Sequence, residues 1–159
     1  MHTVELLLDS ALDDAVRALW HRLHEAGLRS LATHTHATNR PHITLATTAE
    51  LPPSLPLTLP VPVRLGPPRI LGRALALTAD SPELRALQAD VWQSIAGLNP
   101  LHAPDRWIPH VSLALTMPAG QHEQALQLLR DNPILYGESV AARTYDTTTR
   151  LATDLTPRP

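Results

Sequence analysis

The chain has 159 residues, a formal net charge of −2 and a hydrophobic fraction of 43%. This length suits one domain with a real hydrophobic core, which must be built from Leu, Val, Ile and Ala because aromatic residues make up only 3%. The absence of cysteine excludes disulfides, thiolate zinc sites and a cysteine nucleophile, and the charge excludes a global basic field for long nucleic acid.

Targeting and membrane segments are not expected. The N-terminal stretch MHTVELLLDSALDD carries acidic residues early, and its apolar run is too short for a signal peptide. No apolar run elsewhere is long enough to span a membrane. We therefore expect a cytoplasmic protein without membrane partners, and a monomer.

The first part of the chain predicts a strand, a helix and a second strand. Residues 3–9 (TVELLLD) are typical of a strand. Ser10 is predicted to cap the following helix, with Asp13 completing a capping box and Gly27 stopping it. The apolar stripe of this helix is Leu12, Val16, Leu19 and Leu23. A polar loop then leads to an apolar strand at residues 41–46 (PHITLA).

The middle of the chain predicts extended structure and a second helix. Residues 57–66 (LTLPVPVRLG) contain Pro60 and Pro62, which favour an edge strand or an extended segment. Residues 69–79 (RILGRALALTA) predict another strand. The triplet Ser81-Pro82-Glu83 is typical of a helix start, because proline is favoured at the first helical position.

The last part repeats the apolar strand and adds closing elements. Residues 109–114 (PHVSLA) predict a strand, residues 121–130 a third helix, and residues 138–155 one or two strands. The order is β-α-β-β-β-α-β-α-β, and the two PH strands lie near half a chain length apart. We therefore predict an α+β fold, a single domain over residues 1–159 with two similar lobes of sheet and helices outside.

The segments PHITLA and PHVSLA place the same chemistry on both strands. Side chains alternate along a strand, so His42 and Thr44 share one face, as do His110 and Ser112. Histidine titrates near neutral pH, so one imidazole can take a proton while the other gives one. Two such groups on opposite sides of a phosphorus allow in-line displacement, and the hydroxyls can donate to the non-bridging oxygens.

These paired motifs resemble the H-x-T/S motifs of the 2H phosphoesterase superfamily, and the chain resembles its bacterial 2′-5′ RNA ligase family. The resemblance covers nearly the whole chain in length, element order and motif separation, and Trp107 before the second motif also fits. It implies two pseudo-symmetric lobes of mainly antiparallel sheet around a central cleft. It also implies that His42 and His110 are catalytic, that Thr44 and Ser112 hold the phosphate, and that no metal or other cofactor is needed.

The resemblance further implies an activity and its substrates. The usual activity of the family is the opening of a 2′,3′-cyclic phosphate to a 2′-phosphate, and some members join or cleave 2′-5′ linkages in RNA. RNA ends or small cyclic-phosphate nucleotides are therefore the expected partners. The resemblance also suggests that His42 protonates the leaving 3′ oxygen and His110 activates water, although the two motifs by themselves are symmetric.

This chain departs from many relatives beside both motifs. It has Ala46-Thr47-Thr48 where many carry an aromatic residue, and Ala114-Leu115-Thr116 where many carry an arginine. The candidates to bind a base or a phosphate instead are Arg40, Arg106, Arg143 and Tyr145.

Several alternatives stay open from the sequence. The fold could be retained as a catalytically silent nucleotide- or RNA-binding module. Trp107 could stack on a nucleobase or be a core aromatic residue, with equal weight. His34 and His36 in the polar loop suggest a metal site, but a solvated loop at the rim of the cleft is favoured because no carboxylate or cysteine accompanies them.

Overall fold

The computed structural model describes residues 1–155 as one antiparallel sheet with three helices. The strands are β1 His2–Leu8, β2 His42–Thr48, β3 Val61–Leu71, β4 Ala74–Asp80, β5 His110–Ala114, β6 Leu135–Asp146 and β7 Leu151–Leu155. The helices are α1 Ser10–Glu25, α2 Pro82–Ser94 and α3 His122–Leu128. The predicted element order and the α+β class are confirmed, and the closing segment forms two strands, β6 and β7.

The helix starts follow side-chain caps. Ser81 caps α2 as predicted, with its hydroxyl accepting a hydrogen bond from the N–H of Leu84 at 3.0 Å. The predicted cap of α1 was wrong by one residue, because Asp9 and not Ser10 accepts from the N–H of Leu12, at 2.8 Å. The second carboxylate oxygen of Asp9 accepts from the N–H of Glu138 at 2.7 Å. The carboxylate therefore caps α1 with one oxygen and ties it to β6 with the other.

The strand order places the two motif strands at opposite ends of the sheet. The order is β2-β1-β6-β3-β4-β5, with β7 paired to β6. Contacts nevertheless join β2 to β5, so the sheet curves until its two end strands meet. The halves β2-β1-β6 and β3-β4-β5 each end on one PH strand, which agrees with the predicted two similar lobes.

The proline-rich strand β3 lies inside the sheet, so the prediction of an edge strand or an extended segment was wrong. Two of its three prolines, however, sit where β3 has a neighbour on one side only, and the third, Pro67, lies in the register shift between Leu65 and Pro68. Pro62 pairs with Glu138 of β6, before pairing with β4 begins at Arg64. Pro68 follows a register shift, after pairing with β6 has ended at Leu65. A missing N–H costs no ladder hydrogen bond at such positions.

The predicted strand at residues 69–79 is in fact a hairpin. Its first residues finish β3 and its last residues form β4, with Leu71 paired to Ala74 across the turn Gly72-Arg73. Gly72 has a φ of +59°, a left-handed conformation that glycine adopts without strain.

The helices connect the two halves of the sheet. The first helix contacts β1 and β6 of its own half and also β5, while α2 contacts β3 and also β2. The indole N–H of Trp20 in α1 donates to the carbonyl of Ser112 in β5 at 3.1 Å. The indole N–H of Trp107, just before β5, donates to the carbonyl of Thr44 in β2 at 3.0 Å. Each motif strand is thus hydrogen-bonded to a tryptophan of the other half.

The buried core is aliphatic, as the composition predicts. It is formed by leucine, valine and isoleucine side chains of the sheet and by the inner faces of α1 and α2. Trp20 is 2% exposed and belongs to this core. Within residues 1–155, none of the helices has the length and apolar character that a membrane crossing requires.

The two indole hydrogen bonds lead to a prediction about stability. Trp20→Phe and Trp107→Phe keep most of the buried ring but leave the carbonyl of Ser112 or Thr44 without its donor. A fully buried group that loses its partner costs about 1–3 kcal/mol, and these two hydrogen bonds are partly buried, so we expect each variant to lose about 1 kcal/mol of free energy of unfolding. Urea unfolding followed by circular dichroism measures this loss.

Trp92→Phe is the matched control for these variants. Trp92 is half-buried in α2, and its indole N–H makes no hydrogen bond within residues 1–155. An equal loss of stability in all three variants would show that ring volume, and not the cross-half hydrogen bonds, matters.

Candidate active site

The two motif histidines are held in the same way. Nδ1 of His42 lies 2.7 Å from the carbonyl oxygen of Arg40, and Nδ1 of His110 lies 2.7 Å from that of Ile108. A carbonyl oxygen only accepts hydrogen bonds, so Nδ1 must carry the proton in both rings. In the neutral form of each ring, Nε2 is therefore the nitrogen that can take a proton.

The proline of each motif explains this anchoring. Pro41 and Pro109 stand between the accepting carbonyl and the histidine, and both are buried. Proline fixes its own φ and forces the preceding residue into an extended conformation. The carbonyl two residues before each histidine is therefore held in place by local backbone geometry, without help from distant residues.

The motif hydroxyls make no hydrogen bonds within the described protein, and Thr44 lines the recess next to His42, whereas Ser112 lines neither that recess nor the one next to His110. Thr44 and Ser112 are half-buried, and within residues 1–155 neither hydroxyl has a hydrogen-bond partner. Their backbone carbonyls, in contrast, accept the indole hydrogen bonds of Trp107 and Trp20. The backbone of each hydroxyl residue is thus fixed while its side chain is left to donate.

Two recesses adjoin the motif strands. The His42 recess has a volume of about 430 Å³, and its lining includes His42, Thr44, Glu5, Arg143, Tyr145, Arg150, His34 and His36. The His110 recess has a volume of about 390 Å³, and its lining includes His110, His102, Arg106, Trp107, Leu71, Leu101 and Ile108. Each catalytic candidate therefore has its own adjoining space.

A buried carboxylate lies beside His42. Oε1 of Glu5 is 3.7 Å from Nε2 of His42 and accepts a hydrogen bond from the Thr3 hydroxyl at 2.7 Å. Oε2 of Glu5 accepts from Nε of Arg143 at 2.8 Å, and both side chains are 6% exposed. Glu5 pairs with Thr44 of β2 and with Arg143 of β6, so the sheet register brings these groups together.

A second histidine, not a carboxylate, lies beside His110. Burial lowers the pKa of His102, and the positive charge that His110 carries when protonated lowers it further. His102 is therefore neutral at pH 7. The two motifs, symmetric in sequence, have an anionic neighbour on one side and a neutral imidazole on the other.

Three of the four secondary candidates from the sequence line one of the two recesses, and Arg40 lines neither of them. Arg143 and Tyr145 line the His42 recess, and Arg106 lines the His110 recess. Arg40 is 43% exposed and lies 4.0 Å from Asp13. Trp107 is 5% exposed with its N–H bound to the Thr44 carbonyl, which favours the core alternative over base stacking.

The loop histidines line the His42 recess at its rim. Nδ1 of His36 lies 2.7 Å from the Thr38 hydroxyl. In the part of the chain that the structure describes, no group of three His, Cys, Asp or Glu side chains is placed to hold a metal ion.

Sequence reasoning missed Glu5 and His102. Glu5 is a charged residue in the middle of the apolar run TVELLLD, and strand alternation places it on the same face as Thr3. A lone charge inside a predicted buried strand was the available signal, because such a charge needs a partner. His102 lies in a loop rich in proline and carried no comparable signal.

Comparison with known families agrees with this geometry. A family model described as the 2′-5′ RNA ligase superfamily matches residues 8–137, which include both motif strands. Glu5 and Arg143 fall outside the matched residues. A comparison with curated proteins finds no match. Because the family model covers well over half of the chain, this protein belongs to the 2′-5′ RNA ligase superfamily.

Proposed function

We propose that the protein is a metal-independent RNA 2′,3′-cyclic phosphodiesterase that opens a 2′,3′-cyclic phosphate to a 2′-phosphate. The observation that carries this proposal is the matched pair His42 and His110. Each is anchored through Nδ1 to a backbone carbonyl, and the two lie on end strands that contact each other. Membership of the 2′-5′ RNA ligase superfamily supports the same class of phosphate chemistry.

The proposed reaction is an in-line displacement at phosphorus. Nε2 of neutral His110 takes a proton from water as the water oxygen forms its bond to phosphorus. The bond between phosphorus and the 3′ oxygen breaks, and that oxygen receives the proton from Nε2 of charged His42. The phosphate stays on the 2′ oxygen, and each histidine ends in the protonation state in which the other began.

The neighbours of the two histidines support this division of roles. A carboxylate 3.7 Å from Nε2 attracts a positive charge on the His42 ring, as a general acid requires. His110 has the neutral imidazole of His102 beside it, which offers no such attraction. The asymmetry thus favours His42 as the acid and His110 as the base.

The hydroxyls of Thr44 and Ser112 would bind the non-bridging oxygens. Each lies two residues after its histidine on the same strand face, and each is free of partners within residues 1–155. Donors aimed at oxygens that gain charge in the transition state lower the barrier more than they strengthen substrate binding.

A second candidate activity is the formation or cleavage of 2′-5′ linkages. The His110 recess, with Leu101, Trp107 and Ile108 in its lining, adjoins the histidine that would activate the nucleophile. A nucleoside bound there could present its 5′ hydroxyl in place of water. Incubating 2′,3′-cyclic nucleotides with the protein separates both activities from a silent binding module, which would give no product.

The histidine pair gives the central prediction. We expect His42→Ala and His110→Ala each to lower turnover of a 2′,3′-cyclic nucleotide by about 10²–10⁴-fold, because each removes a proton-transfer group. His21→Ala, on the exposed face of α1, is the control and should not change turnover. Assays run with EDTA also test metal independence. Near-normal rates in either motif variant, or activity lost on chelation, would contradict the proposal.

The hydroxyls give a second prediction of smaller size. Thr44→Val and Ser112→Ala should lower kcat/KM by about 10- to 100-fold, since a hydrogen bond to a charged group contributes roughly 1.5–3 kcal/mol. Part of the loss should appear in kcat, with thermal melts unchanged. Thr58→Val, an exposed threonine outside the site, is the control. Activity lost only in proportion to stability would assign both hydroxyls a structural role.

The division of roles has its own test, in which a 3′ sulfur replaces the leaving oxygen. A thiol is a far stronger acid than an alcohol, so a thiolate is a stable leaving group and departs without receiving a proton. With this substrate, His42→Ala should regain most of its lost rate, while His110→Ala should stay impaired. Recovery in His110→Ala instead, or a 3′-phosphate product from the natural substrate by phosphorus NMR, would reverse the assignment.

A further inference from the structure

We propose that the His42 recess also binds the backbone phosphate of nucleotides that precede the cyclic end, and that Arg150 is its cationic contact. The preferred substrate is then an RNA 3′ end and not a free cyclic mononucleotide. This inference rests on the proposed function and on its division of roles. It concerns a part of the recess that lies outside the residues matched by the family model.

The direction of the substrate follows from the acid and the base. In an in-line displacement, water approaches from the side of His110, and the leaving 3′ oxygen departs toward His42. That oxygen belongs to the ribose, so the ribose lies on the His42 side. An RNA strand that ends in a cyclic phosphate continues only from this ribose, and the space beside it is the His42 recess.

Arg150 is placed to meet such a strand. It ends the turn that joins β6 to β7, it lines the His42 recess, and it is exposed. Within residues 1–155 its guanidinium makes no hydrogen bond or ion pair. The turn is ordered by Asp146, whose carboxylate accepts from the N–H of Thr148 at 2.8 Å. The N–H of Arg150 donates to the Asp146 carbonyl at 2.8 Å.

The other charges of the recess are already paired. Arg143 is held in a buried ion pair with Glu5, and its Nη2 donates to the Thr38 carbonyl at 2.8 Å, so its guanidinium is already engaged within the protein. Apart from the general acid His42, the remaining cation that lines the recess is Arg150, with His34 and His36 adding charge when protonated. The recess is therefore positive in a chain whose net charge is −2, which selects a ligand with a second negative charge.

The spacing suits a phosphate beyond the reacting one. Thr44 lies on β2 and Arg143 on β6, two strands away across β1. Two strand spacings are roughly 10 Å. Arg150 lies farther away still, because it follows Asp146, the last residue of β6, which pairs with His2 at the start of β1 and not with Glu5. Its backbone is thus too far from Thr44 for both residues to hold the cyclic phosphate, and its exposed side chain is open to a phosphate one or two nucleotides upstream.

The experiment compares three substrates that end in the same 2′,3′-cyclic phosphate. The first is the mononucleotide, the second a trinucleotide, and the third the same trinucleotide with uncharged methylphosphonates at its two upstream linkages. They are assayed with the wild-type protein, Arg150→Gln, Arg150→Lys and Arg130→Gln. Arg130 is a control because its side chain is 74% exposed and lies after α3, away from the recess.

With the wild-type protein, we expect kcat/KM for the charged trinucleotide to be at least about fivefold higher than for either of the other two substrates. This factor is the effect expected of a well-placed, exposed charge pair. Arg150→Gln should remove this advantage without changing turnover of the mononucleotide. Arg150→Lys and Arg130→Gln should retain it. Arg150 has a φ of +59°, a conformation that is as strained for Gln as for Arg. The substitution therefore does not change the backbone strain of the turn.

The failures of this inference and of the proposed function can be told apart. Equal turnover of the three substrates, or an equal loss on all of them in Arg150→Gln, would overturn the inference and leave the phosphodiesterase proposal intact. Turnover of none of them would contradict the phosphodiesterase proposal. In that case the inference is tested by binding. Fluorescence anisotropy measures the affinity of the protein for two trinucleotides that end in a 2′-phosphate, one with charged linkages and one with methylphosphonate linkages. Equal affinities would overturn the inference.

Discussion

The geometry of the candidate active site depends on two indole hydrogen bonds that cross between the halves of the sheet. The PH strands are the two end strands, so each pairs with a neighbouring strand on one side only, and within residues 1–155 the outer side of β2 adds a single bridge from Thr48 to Gly97. Trp20 and Trp107 supply a further constraint by donating to the carbonyls of Ser112 and Thr44. Because these carbonyls belong to the hydroxyl residues themselves, the hydrogen bonds position the groups proposed to hold the phosphate.

Near-symmetric motifs acquire different chemistry from their surroundings. The Pro-His geometry is local and therefore identical in both strands, down to the 2.7 Å anchor of each Nδ1. The neighbours differ because β1 carries Glu5 beside one histidine, while a loop carries His102 beside the other. A reaction that needs one acid and one base at the same pH gains from this kind of difference.

The features that could be predicted from the sequence depend on residues close together in the chain. Strand alternation places His42 with Thr44 and His110 with Ser112, and proline at the first helical position marks the start of α2. The Glu5–Arg143 pair could not be found this way because its members are joined only by sheet register. The prolines of β3 led to the wrong prediction of an edge strand. Proline is excluded from a central strand only where its N–H would donate to a neighbouring strand. Which positions of β3 have such a neighbour depends on β4 and β6, and the local sequence does not show it.

The hydrogen bond from Arg143 to the Thr38 carbonyl has a consequence for the entropy of binding. The polar loop that carries His34 and His36 has few apolar anchors, and a loop of this kind is normally mobile. A guanidinium that is itself buried and paired with Glu5 ties this loop to β6. The wall of the recess is thereby pre-organised, so a ligand that enters it need not spend binding free energy on ordering the loop.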